Sequence, residues 1–394
     1  MNKTTFNIDD SYEVIVVGTG MTGSVIARYI AEELEKKVLV LEKRNHIAGN
    51  MYDFYEKGFL VQKYGPHTFH TNKEHLVQYL HRFGEWEPFF LECGAQIGEK
   101  VLHVPFNFET IDAFYSEDNS RILKEKLLRN YPNKEFVPVY ELLKNEDSII
   151  AEFAMLLYEY DFKPYSAKQW GKSPEEIDPS ILRRVPIRLS YGRGYFTDEF
   201  QIMPKEGFTK VFENILRHKN IQVCTEVDAS KIFKIKEKKI HCMGNLFHGL
   251  VVYTGPIDEL LEYKYGELKY RSLDFEYKVI ETESFQKYPV VAYPAEKYIT
   301  RITEYTKLSC KPIEGKTIVA YETPSDANIA AGREPYYPLL SDEEMKKHKK
   351  YLVEIMDIPN LIACGRLAEF KYYNMDDALE NALNICKKLR AYLQ

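Results

Sequence analysis

Apolar and polar positions in the first fifty residues predict a strand, a helix and a second strand. Residues 13–17 and 38–41 are short apolar runs rich in β-branched side chains, as in the buried strands of a parallel sheet. Between them, residues 24–35 carry apolar side chains at helical intervals. The pattern therefore predicts a βαβ unit, around which the rest of the chain is organised.

Three glycines and one acid make this unit a candidate nucleotide site. Gly18, Gly20 and Gly23 follow the first strand with GxGxxG spacing, and Glu42 ends the second strand. The first glycine permits a tight turn, the second lets backbone amides approach a pyrophosphate, and the third lets helix and strand pack closely. A carboxylate after the second strand can accept hydrogen bonds from an adenosine ribose. The alternative is a nucleotide-free unit whose glycines serve packing alone.

The residues after the second strand favour FAD over NAD. Lys43 and Arg44 lead into a second glycine-containing loop, which ends with Gly49 and Asn50. NAD-binding domains seldom need such an extension, because their cofactor ends at the nicotinamide, whereas FAD is longer and needs more protein around it. We therefore predict FAD as the cofactor of this unit.

The patterns farther along the chain predict two more parts. Residues 107–182 form short amphipathic helical stretches broken by prolines, and residues 260–323 alternate strongly, as in an antiparallel sheet. Apolar runs at 250–253 and 361–363 are predicted to return to the nucleotide-binding sheet. The fold class is thus α/β, with an FAD-binding Rossmann-like domain (1–84, 203–255 and 339–394), an inserted helical bundle (107–182) and an antiparallel β-sheet substrate domain (85–106, 183–202 and 256–338).

Composition narrows the class of protein. The chain has 394 residues, is 45% hydrophobic and 28% charged, and carries a formal net charge of −6, which argues against general nucleic-acid affinity. Its apolar runs fall short of the roughly 20 residues that span a bilayer, and its first residues lack a signal-peptide core. The 6 cysteines are scattered without a CxxC pair. We expect a cytoplasmic protein with no membrane span and no nucleic-acid partner.

Two loops carry further candidate chemistry. His67 and His70 lie in a Gly/Pro-rich loop with no third ligand at fixed spacing, so we expect no metal. One of these histidines could face a flavin ring, or both could serve the loop alone. Arg183, Arg184 and Arg188 surround a proline. They form either a solvated basic loop or a clamp for a diphosphate, because guanidinium groups match phosphate oxygens bidentately.

Several distinctive segments occur in an order that resembles one family. The chain is similar over essentially its whole length to the UDP-galactopyranose mutases, flavoenzymes that interconvert UDP-galactopyranose and UDP-galactofuranose. The segments are the GxGxxG unit, EKRNHIAGNMYD, YGPHTFHTN, YSAKQWG, RRVPIR followed by YF, VVYTGPID, YRSLDFE, TRITEY, PYYP and GRLAEFKYYNMDDAL.

The resemblance implies roles for individual residues. It places His67 against the flavin ring and gives catalytic roles to His67, Arg184 and Arg301, the two arginines at the diphosphate. The implied cofactor-binding residues are Gly18, Gly20, Gly23, Glu42, Lys43, Arg44, Gly49, Asn50, His67, Gly365, Arg366 and Met375. The implied substrate-binding residues are Tyr165, Trp170, Arg184, Tyr195, Arg301, Tyr336, Tyr372 and Asn374.

Three positions depart from the family's pattern. Ala48 stands where glycine is usual, Thr68 where an aliphatic residue is usual, and Asn374 where many members have aspartate. We expect Ala48 to crowd the pyrophosphate loop slightly and Thr68 to alter contacts near the sugar. The departures bear on sugar specificity more than on family membership.

The implied reaction is an isomerisation without net oxidation. The C1–O bond to UDP must break, and the sequence offers no Ser–His–Asp arrangement and no carboxylate pair at obvious spacing as a protein nucleophile. In the family, reduced flavin provides one through a flavin N5–sugar C1 adduct. The resemblance further implies NAD(P)H or another reductant, a homodimer, and a product that supplies galactofuranose for cell-surface glycans.

Other functions share parts of this pattern. The same mechanism could act on UDP-N-acetylgalactosamine or a dTDP-6-deoxyhexose. An amine-oxidase-like flavin oxidoreductase shares the FAD unit, but it has no need of two arginines and a KQWG segment for a diphosphate. A non-catalytic FAD-binding scaffold is a third reading.

Overall fold

The nucleotide-binding unit forms the centre of a parallel sheet. The computed structural model describes residues 12–171, 176, 186–308, 312–326 and 333–393, apart from the side chains of 170 and 391–393. All neighbouring strands of this 5-stranded sheet are parallel. Their order is Ile221–Cys224, Val38–Leu41, Val14–Val17, Leu250–Tyr253 and Leu361–Ala363. The predicted return of the last two strands to this sheet is confirmed.

Both faces of the parallel sheet are covered, which explains why its three central strands are continuously apolar. Val14 and Val16 pack into one core, to which the helices Met21–Glu33 and Met375–Leu393 contribute. Ile15 points to the opposite face and joins a second core. The first helix begins at Met21, earlier than the apolar periodicity predicts, because Gly20 takes the N-cap position.

The substrate side of the molecule is built on a 7-stranded sheet. Its strand order is Tyr337–Pro338, Tyr270–Ile280, Thr317–Asp326, Arg301–Glu304, Val290–Ala292, Cys93–Ile97 and Lys100–Val104. The sheet is mixed rather than purely antiparallel, because Val290–Ala292 pairs in parallel with Cys93–Ile97. All its other neighbouring pairs are antiparallel, as the alternation predicts.

Smaller sheets join these layers. Trp86–Pro88 and Phe69–Thr71 flank Phe200–Pro204 in a 3-stranded sheet, so residues 86–88 do not join the large sheet to which the sequence assigns them. The other small-sheet strands are Asp53–Glu56 with Phe59–Gln62, Phe136–Val137 with Ile187–Arg188, and Phe233–Lys236, Lys239–Cys242 and Asn245–Leu246.

The region from residue 107 to 171 is helical and packs under the large sheet. Asn107 and Asp147 cap two of its helices, each accepting a hydrogen bond from the backbone N–H two residues later. The elements are Phe108–Phe114, Glu117–Asn130, Val139–Leu143, Ser148–Leu157, a π-helical turn at Tyr158–Phe162, and Lys163–Trp170. The π-helical turn has no signal in the sequence pattern.

The remaining helices connect the sheets. They are Glu74–His81, Phe208–Leu216, Ala229–Ile232, Ile257–Leu260, Asp342–Met356, Gly365–Ala368 and short 3₁₀ turns at Gly49–Met51 and Tyr305–Lys307. Ser341 caps the helix Asp342–Met356, accepting a hydrogen bond of 3.3 Å from the backbone N–H of Glu344. In the part of the chain described above, every helix is too short or too polar to cross a membrane.

Candidate active site

A cavity of about 1100 Å³ connects the glycine loop with the large sheet and the helical region. It brings together most of the residues that the sequence selects, although they are distant along the chain. These are Gly18, Gly20, Gly23, Glu42, Lys43, Arg44, Gly49, Asn50, His67, Tyr165, Tyr195, Arg301, Gly365, Arg366, Tyr372, Asn374 and Met375. Arg184 and the side chain of Trp170 lie outside the described residues.

Glycine is present at each of the three positions of the first loop for a different physical reason. Gly18 has φ of +98° and donates its N–H to the Leu41 carbonyl at 2.8 Å, which forms the turn. A Cβ on Gly23 would lie 2.1 Å from the Gly18 carbonyl oxygen, so helix and loop touch here. Apart from its chain neighbours, a Cβ on Gly20 would meet no atom of the described residues within 4 Å. The open space at Gly20 is where a ligand can approach the backbone.

Glu42 is held in place by its neighbours at the end of its strand. One carboxylate oxygen accepts hydrogen bonds from the Thr19 backbone N–H at 3.0 Å and the Thr19 hydroxyl at 2.6 Å. The other accepts the backbone N–H of Arg44 at 3.0 Å. A carboxylate has about four lone-pair sites, so capacity for ribose hydroxyls remains. Thr19 lies inside the glycine motif but is not among the residues that the motif predicts to be functional.

Arg44 offers a donor that the described protein does not use. Its guanidinium lies 4.5 Å from the ring centroid of Tyr64, and Nη2 donates to Asn50 and Glu334, both at 2.9 Å. Nη1 is buried without a hydrogen-bond partner in the described part of the chain. Since buried donors are normally satisfied, this atom fits an acceptor on a bound cofactor.

Arg366 places a second positive charge at the cavity. It follows Gly365, whose φ of +86° turns the chain into the helix Gly365–Ala368. Arg366 donates to the Tyr336 carbonyl and lies 5.3 Å from the centroid of the Tyr337 ring. Among the residues described, no carboxylate forms an ion pair with Arg366. Burial lowers the pKa of its guanidinium. The space at Gly20, the free Arg44 nitrogen and this cation together fit an anionic dinucleotide.

His67 is a neutral imidazole on the cavity wall. Its Nδ1 lies 2.8 Å from the Gly65 carbonyl, which only accepts, so Nδ1 carries the proton and Nε2 is left as an acceptor. Burial, assisted by the charges of Arg366 and Arg301, lowers the pKa of His67 to about 4. His67 therefore adds no positive charge near neutral pH.

His70 belongs to a different network from His67. Its Nδ1 lies 2.8 Å from an Asp198 carboxylate oxygen, and its ring stacks on Phe196 with centroids 3.6 Å apart. The described residues contain no group of three or more His, Cys, Asp or Glu that could hold a metal ion. The loop is thus explained by separate contacts of its two histidines.

Arg301 is a fixed cation on the large sheet. Its Nε lies 3.1 Å from both oxygens of Glu322, and Nη2 donates to one of them at 2.7 Å. Glu322 is 1% exposed and also accepts a hydrogen bond from Thr300. Burial opposes the charge of Arg301, but Glu322 outweighs it and raises the pKa of the guanidinium. Nη1 has no hydrogen-bond partner among the described residues, which suits an anionic ligand.

Tyr336 packs in the core and does not line the cavity of this structure, so its contact with the substrate stays a prediction. The Tyr336 side chain is 3% exposed and packs against Tyr64 and Phe275, with centroids 5.9 and 6.4 Å away. Tyr337 lines the cavity instead. Successive side chains of extended backbone point to opposite faces, so only one of the two tyrosines can reach the cavity. The Tyr337 ring lies 6.2 Å from that of Tyr372.

Lys168, which lies in the YSAKQWG segment, has a structural role. Its ammonium donates to backbone carbonyls on one loop, including those of Tyr293 at 2.7 Å and Ile299 at 2.6 Å. Burial lowers the pKa of Lys168 to about 8. These hydrogen bonds fix the helix that carries Tyr165 against the segment that precedes Arg301. No local pattern around Lys168 indicates this role, because the carbonyls belong to a loop that is distant along the chain.

The three departures from the family's pattern occupy different places. Ala48 is fully buried with φ of 72°, a left-handed conformation that favours glycine, and its side chain packs in a core. It does not line the cavity, so the expected crowding of the pyrophosphate loop is not observed. Thr68 and Asn374 do line the cavity, where they can affect a ligand.

Comparisons with known proteins agree with this architecture. A family described as UDP-galactopyranose mutase matches residues 161–372, and an NAD(P)-binding Rossmann-like domain matches residues 16–83. A UDP-galactopyranose mutase from Mycoplasma genitalium is 33% identical over 94% of this chain and 93% of its own. A dTDP-fucopyranose mutase from Escherichia coli is 31% identical over 96% of this chain and 98% of its own.

A solved structure extends the comparison to the fold. The crystal structure of a reduced UDP-galactopyranose mutase superposes with a TM-score of 0.71, at 14% identity, over 97% of this chain and 94% of that one. At this identity the match supports the fold alone, and the predicted Rossmann-like architecture is confirmed. The identity to the curated relatives, which extends over nearly the whole chain, goes further: the chain belongs to the UDP-galactopyranose mutase family.

Proposed function

We propose that the protein is a flavin-dependent mutase that interconverts UDP-galactopyranose and UDP-galactofuranose and supplies galactofuranose for cell-surface glycans. The observation that carries this proposal is the continuity of the cavity. The glycine loop at Gly20 and the guanidinium of Arg301, which Glu322 holds in place, line the same cavity. An enzyme that brings a cofactor to a nucleotide sugar needs both within one cavity.

FAD is the cofactor that the cradle would hold. Gly18, Gly20 and the start of the helix Met21–Glu33 would accommodate its pyrophosphate, and Glu42 its ribose. Arg44 would donate Nη1 to an acceptor on the cofactor. When bound in its reduced form, FAD supplies a nucleophile for the anomeric carbon and ends the cycle still reduced, so the reaction has no net oxidation.

The protein's own residues would position the substrate and stabilise the departing diphosphate. Arg301 would donate Nη1 to a phosphate oxygen while Glu322 fixes the rest of the guanidinium. A preorganised donor of this kind stabilises charge as it develops, without reorganisation. His67 would accept a hydrogen bond at Nε2 without adding charge. We place Arg184 and Trp170 at the diphosphate and the nucleoside by family resemblance alone.

Activity is expected to depend on the redox state of the cofactor. Protein reduced with dithionite or NAD(P)H should convert UDP-galactofuranose to UDP-galactopyranose, whereas air-oxidised protein should be inactive. Anaerobic incubation followed by anion-exchange chromatography of the nucleotide sugars measures both. Equal turnover by the oxidised protein would contradict the role given to reduced FAD, and hydrogen peroxide formed from an amine substrate would favour an oxidase.

A second candidate is the same reaction on a dTDP-6-deoxyhexose. The Escherichia coli relative named a dTDP-fucopyranose mutase favours it, since its identity to this chain, 31%, is close to the 33% of the Mycoplasma genitalium relative. Thr68 and Asn374, which line the cavity, are positions where the sugar could be distinguished. Comparing kcat/KM for UDP- and dTDP-linked furanoses, including the furanose form of UDP-N-acetylgalactosamine, separates the candidates. The cytoplasmic location and the homodimer stay predictions. Light scattering can test the dimer.

The adjacent tyrosines provide a matched test of the cavity wall. Tyr337→Phe is expected to lower kcat/KM by about fivefold, because it removes a hydroxyl that can bind the substrate, at about 1 kcal/mol per hydrogen bond. Tyr336→Phe should leave kcat/KM within about twofold of the wild type, because its ring packs in the core. Steady-state assays of both variants measure the contrast. The reverse order of effects would return the role to Tyr336.

A further inference from the structure

The ammonium group of Lys168 lies in a cage of backbone carbonyls. Its Nζ is within 3.3 Å of four carbonyl oxygens of one loop, those of Tyr293, Pro294, Glu296 and Ile299. An ammonium group has three donors and no acceptor, so it can serve these oxygens but nothing that donates. Carbonyl oxygens that converge on one point repel one another, and a cation between them removes that repulsion. The loop is therefore shaped around a small cation that the helix Lys163–Trp170 supplies.

The loop that holds this ammonium group leads directly to Arg301. It joins the strands Val290–Ala292 and Arg301–Glu304, which pair in antiparallel fashion. Its last residue, Thr300, is fully buried, and the Thr300 hydroxyl donates to a Glu322 carboxylate oxygen at 3.0 Å. The same oxygen lies 3.1 Å from Nε of Arg301. The loop, Glu322 and Arg301 thus form one hydrogen-bonded unit.

The helix that carries Lys168 supplies another part of the cavity wall. Tyr165, Ser166 and Gln169 line the cavity, as Arg301 does, whereas Lys168 does not. Lys168 can therefore affect a ligand only through the position of the helix and the loop that it joins. The carbonyl cage is the contact that ties these two parts of the wall together.

We propose that Lys168 is a positioning residue, whose caged ammonium group sets the separation between Tyr165 and Arg301 and thereby the affinity of the cavity for a nucleoside diphosphate. The inference rests on the proposed function, which supplies such a ligand. Without the ammonium group, the helix and the loop can move apart, and only the fraction of molecules with the correct separation binds the ligand well. Glu322 would still hold the guanidinium of Arg301, so binding should suffer more than the chemical step.

The first test is Lys168→Met, which keeps most of the apolar stem and removes the ammonium group. Isothermal titration of the oxidised holoenzyme with UDP should show about tenfold weaker binding, the effect of losing charged hydrogen bonds. With the reduced enzyme, KM should rise about tenfold and kcat should stay within about threefold of the wild type. The FAD content should not change, because the cage contains none of the residues predicted to hold the cofactor.

A free cation should replace the missing group. Ammonium chloride should restore the UDP affinity of Lys168→Met to within about threefold of the wild type, because the ion can occupy the vacated cage and donate to its carbonyls. Tetramethylammonium chloride at equal ionic strength has no N–H and should not restore it. The wild type should respond equally to the two salts. Equal responses of Lys168→Met to both salts would overturn the cage as the cause.

Lys163→Met is the matched control. Lys163 lies on the same helix, but its partner is the surface residue Glu159, at 3.1 Å. Surface ion pairs contribute little, so this variant should bind UDP like the wild type and should respond equally to the two salts. A loss of UDP affinity equal to that of Lys168→Met would mean that any lysine of the helix has this effect, and the inference would fail.

The wild type alone provides a test that does not depend on the folding of a variant. If a correctly placed loop favours the ligand, the ligand must favour the correctly placed loop to the same extent. UDP should therefore slow hydrogen exchange of the Tyr293 and Thr300 amides, which donate to the carbonyls of Thr300 and Glu322. We expect at least about threefold slower exchange. Unchanged exchange at both amides would overturn the inference.

Turnover separates this inference from the proposed function. If the reduced wild type converts UDP-galactofuranose but Lys168→Met binds UDP like the wild type, only the positioning role fails. If UDP affinity depends on Lys168 and is restored by ammonium but no furanose is converted, the positioning role stands and the proposed reaction fails.

Discussion

Arg301→Met is expected to lower kcat/KM by about 10²–10³-fold while FAD stays bound. Glu322 holds the guanidinium of Arg301 in place at the cavity. Its Nη1 has no hydrogen-bond partner among the described residues, so it can donate to the ligand. A preorganised charged donor is typically worth this much in acyl transfer, and the developing charge on a departing diphosphate is comparable. Steady-state assays with reduced enzyme measure the change, and the flavin absorbance of the purified variant reports cofactor content.

The same substitution also affects folding, which must be separated from catalysis. Glu322 is 1% exposed and would lose its cation, at a cost of about 3–5 kcal/mol for a broken buried pair. The double variant Arg301→Met/Glu322→Gln removes both charges and should recover most of that stability in urea unfolding. Its kcat/KM should stay as low as that of the single variant. Recovery of activity together with stability would reduce Arg301 to a structural residue.

Local signals in the sequence were sufficient to predict the parallel sheet. Val38–Leu41, Leu250–Tyr253 and Leu361–Ala363 have the bounds that their apolar runs predict, because both faces of the sheet are covered and every position is apolar. The glycine roles at the first loop follow from the same local logic. The residues that determine a strand and its turn are adjacent in the sequence.

Partners from distant segments were not predictable in this way. Nothing near Arg301 in the sequence indicates that Glu322 fixes its guanidinium, since the pairing depends on the register between two strands. The choice between Tyr336 and Tyr337 depends on which face of one short strand meets the cavity, and a single-residue shift reverses it.

The part of the site that the sequence predicts best also yields a clean test of the cofactor. Gly20→Ala should weaken FAD binding by about 100-fold and leave the apoprotein folded. Gly20 has φ of −71° and ψ of −176°, which alanine also adopts, and the added methyl group would approach none of the described residues within 4 Å except its chain neighbours. The cost to the apoprotein is thus limited to about 1 kcal/mol for alanine at a helix N-cap. Quenching of FAD fluorescence on titration into apoprotein measures the affinity.

Gly23→Ala is the matched variant with the opposite expectation. Its methyl group would lie 2.1 Å from the Gly18 carbonyl oxygen, so helix and loop must separate and the apoprotein itself should lose stability. The two alanines therefore distinguish space that belongs to a ligand from space that belongs to the fold. Wild-type FAD affinity in Gly20→Ala would mean that the cofactor pyrophosphate does not pass this glycine. The unpartnered nitrogen of Arg44 and the charge of Arg366 would then be expected to bind a different anion.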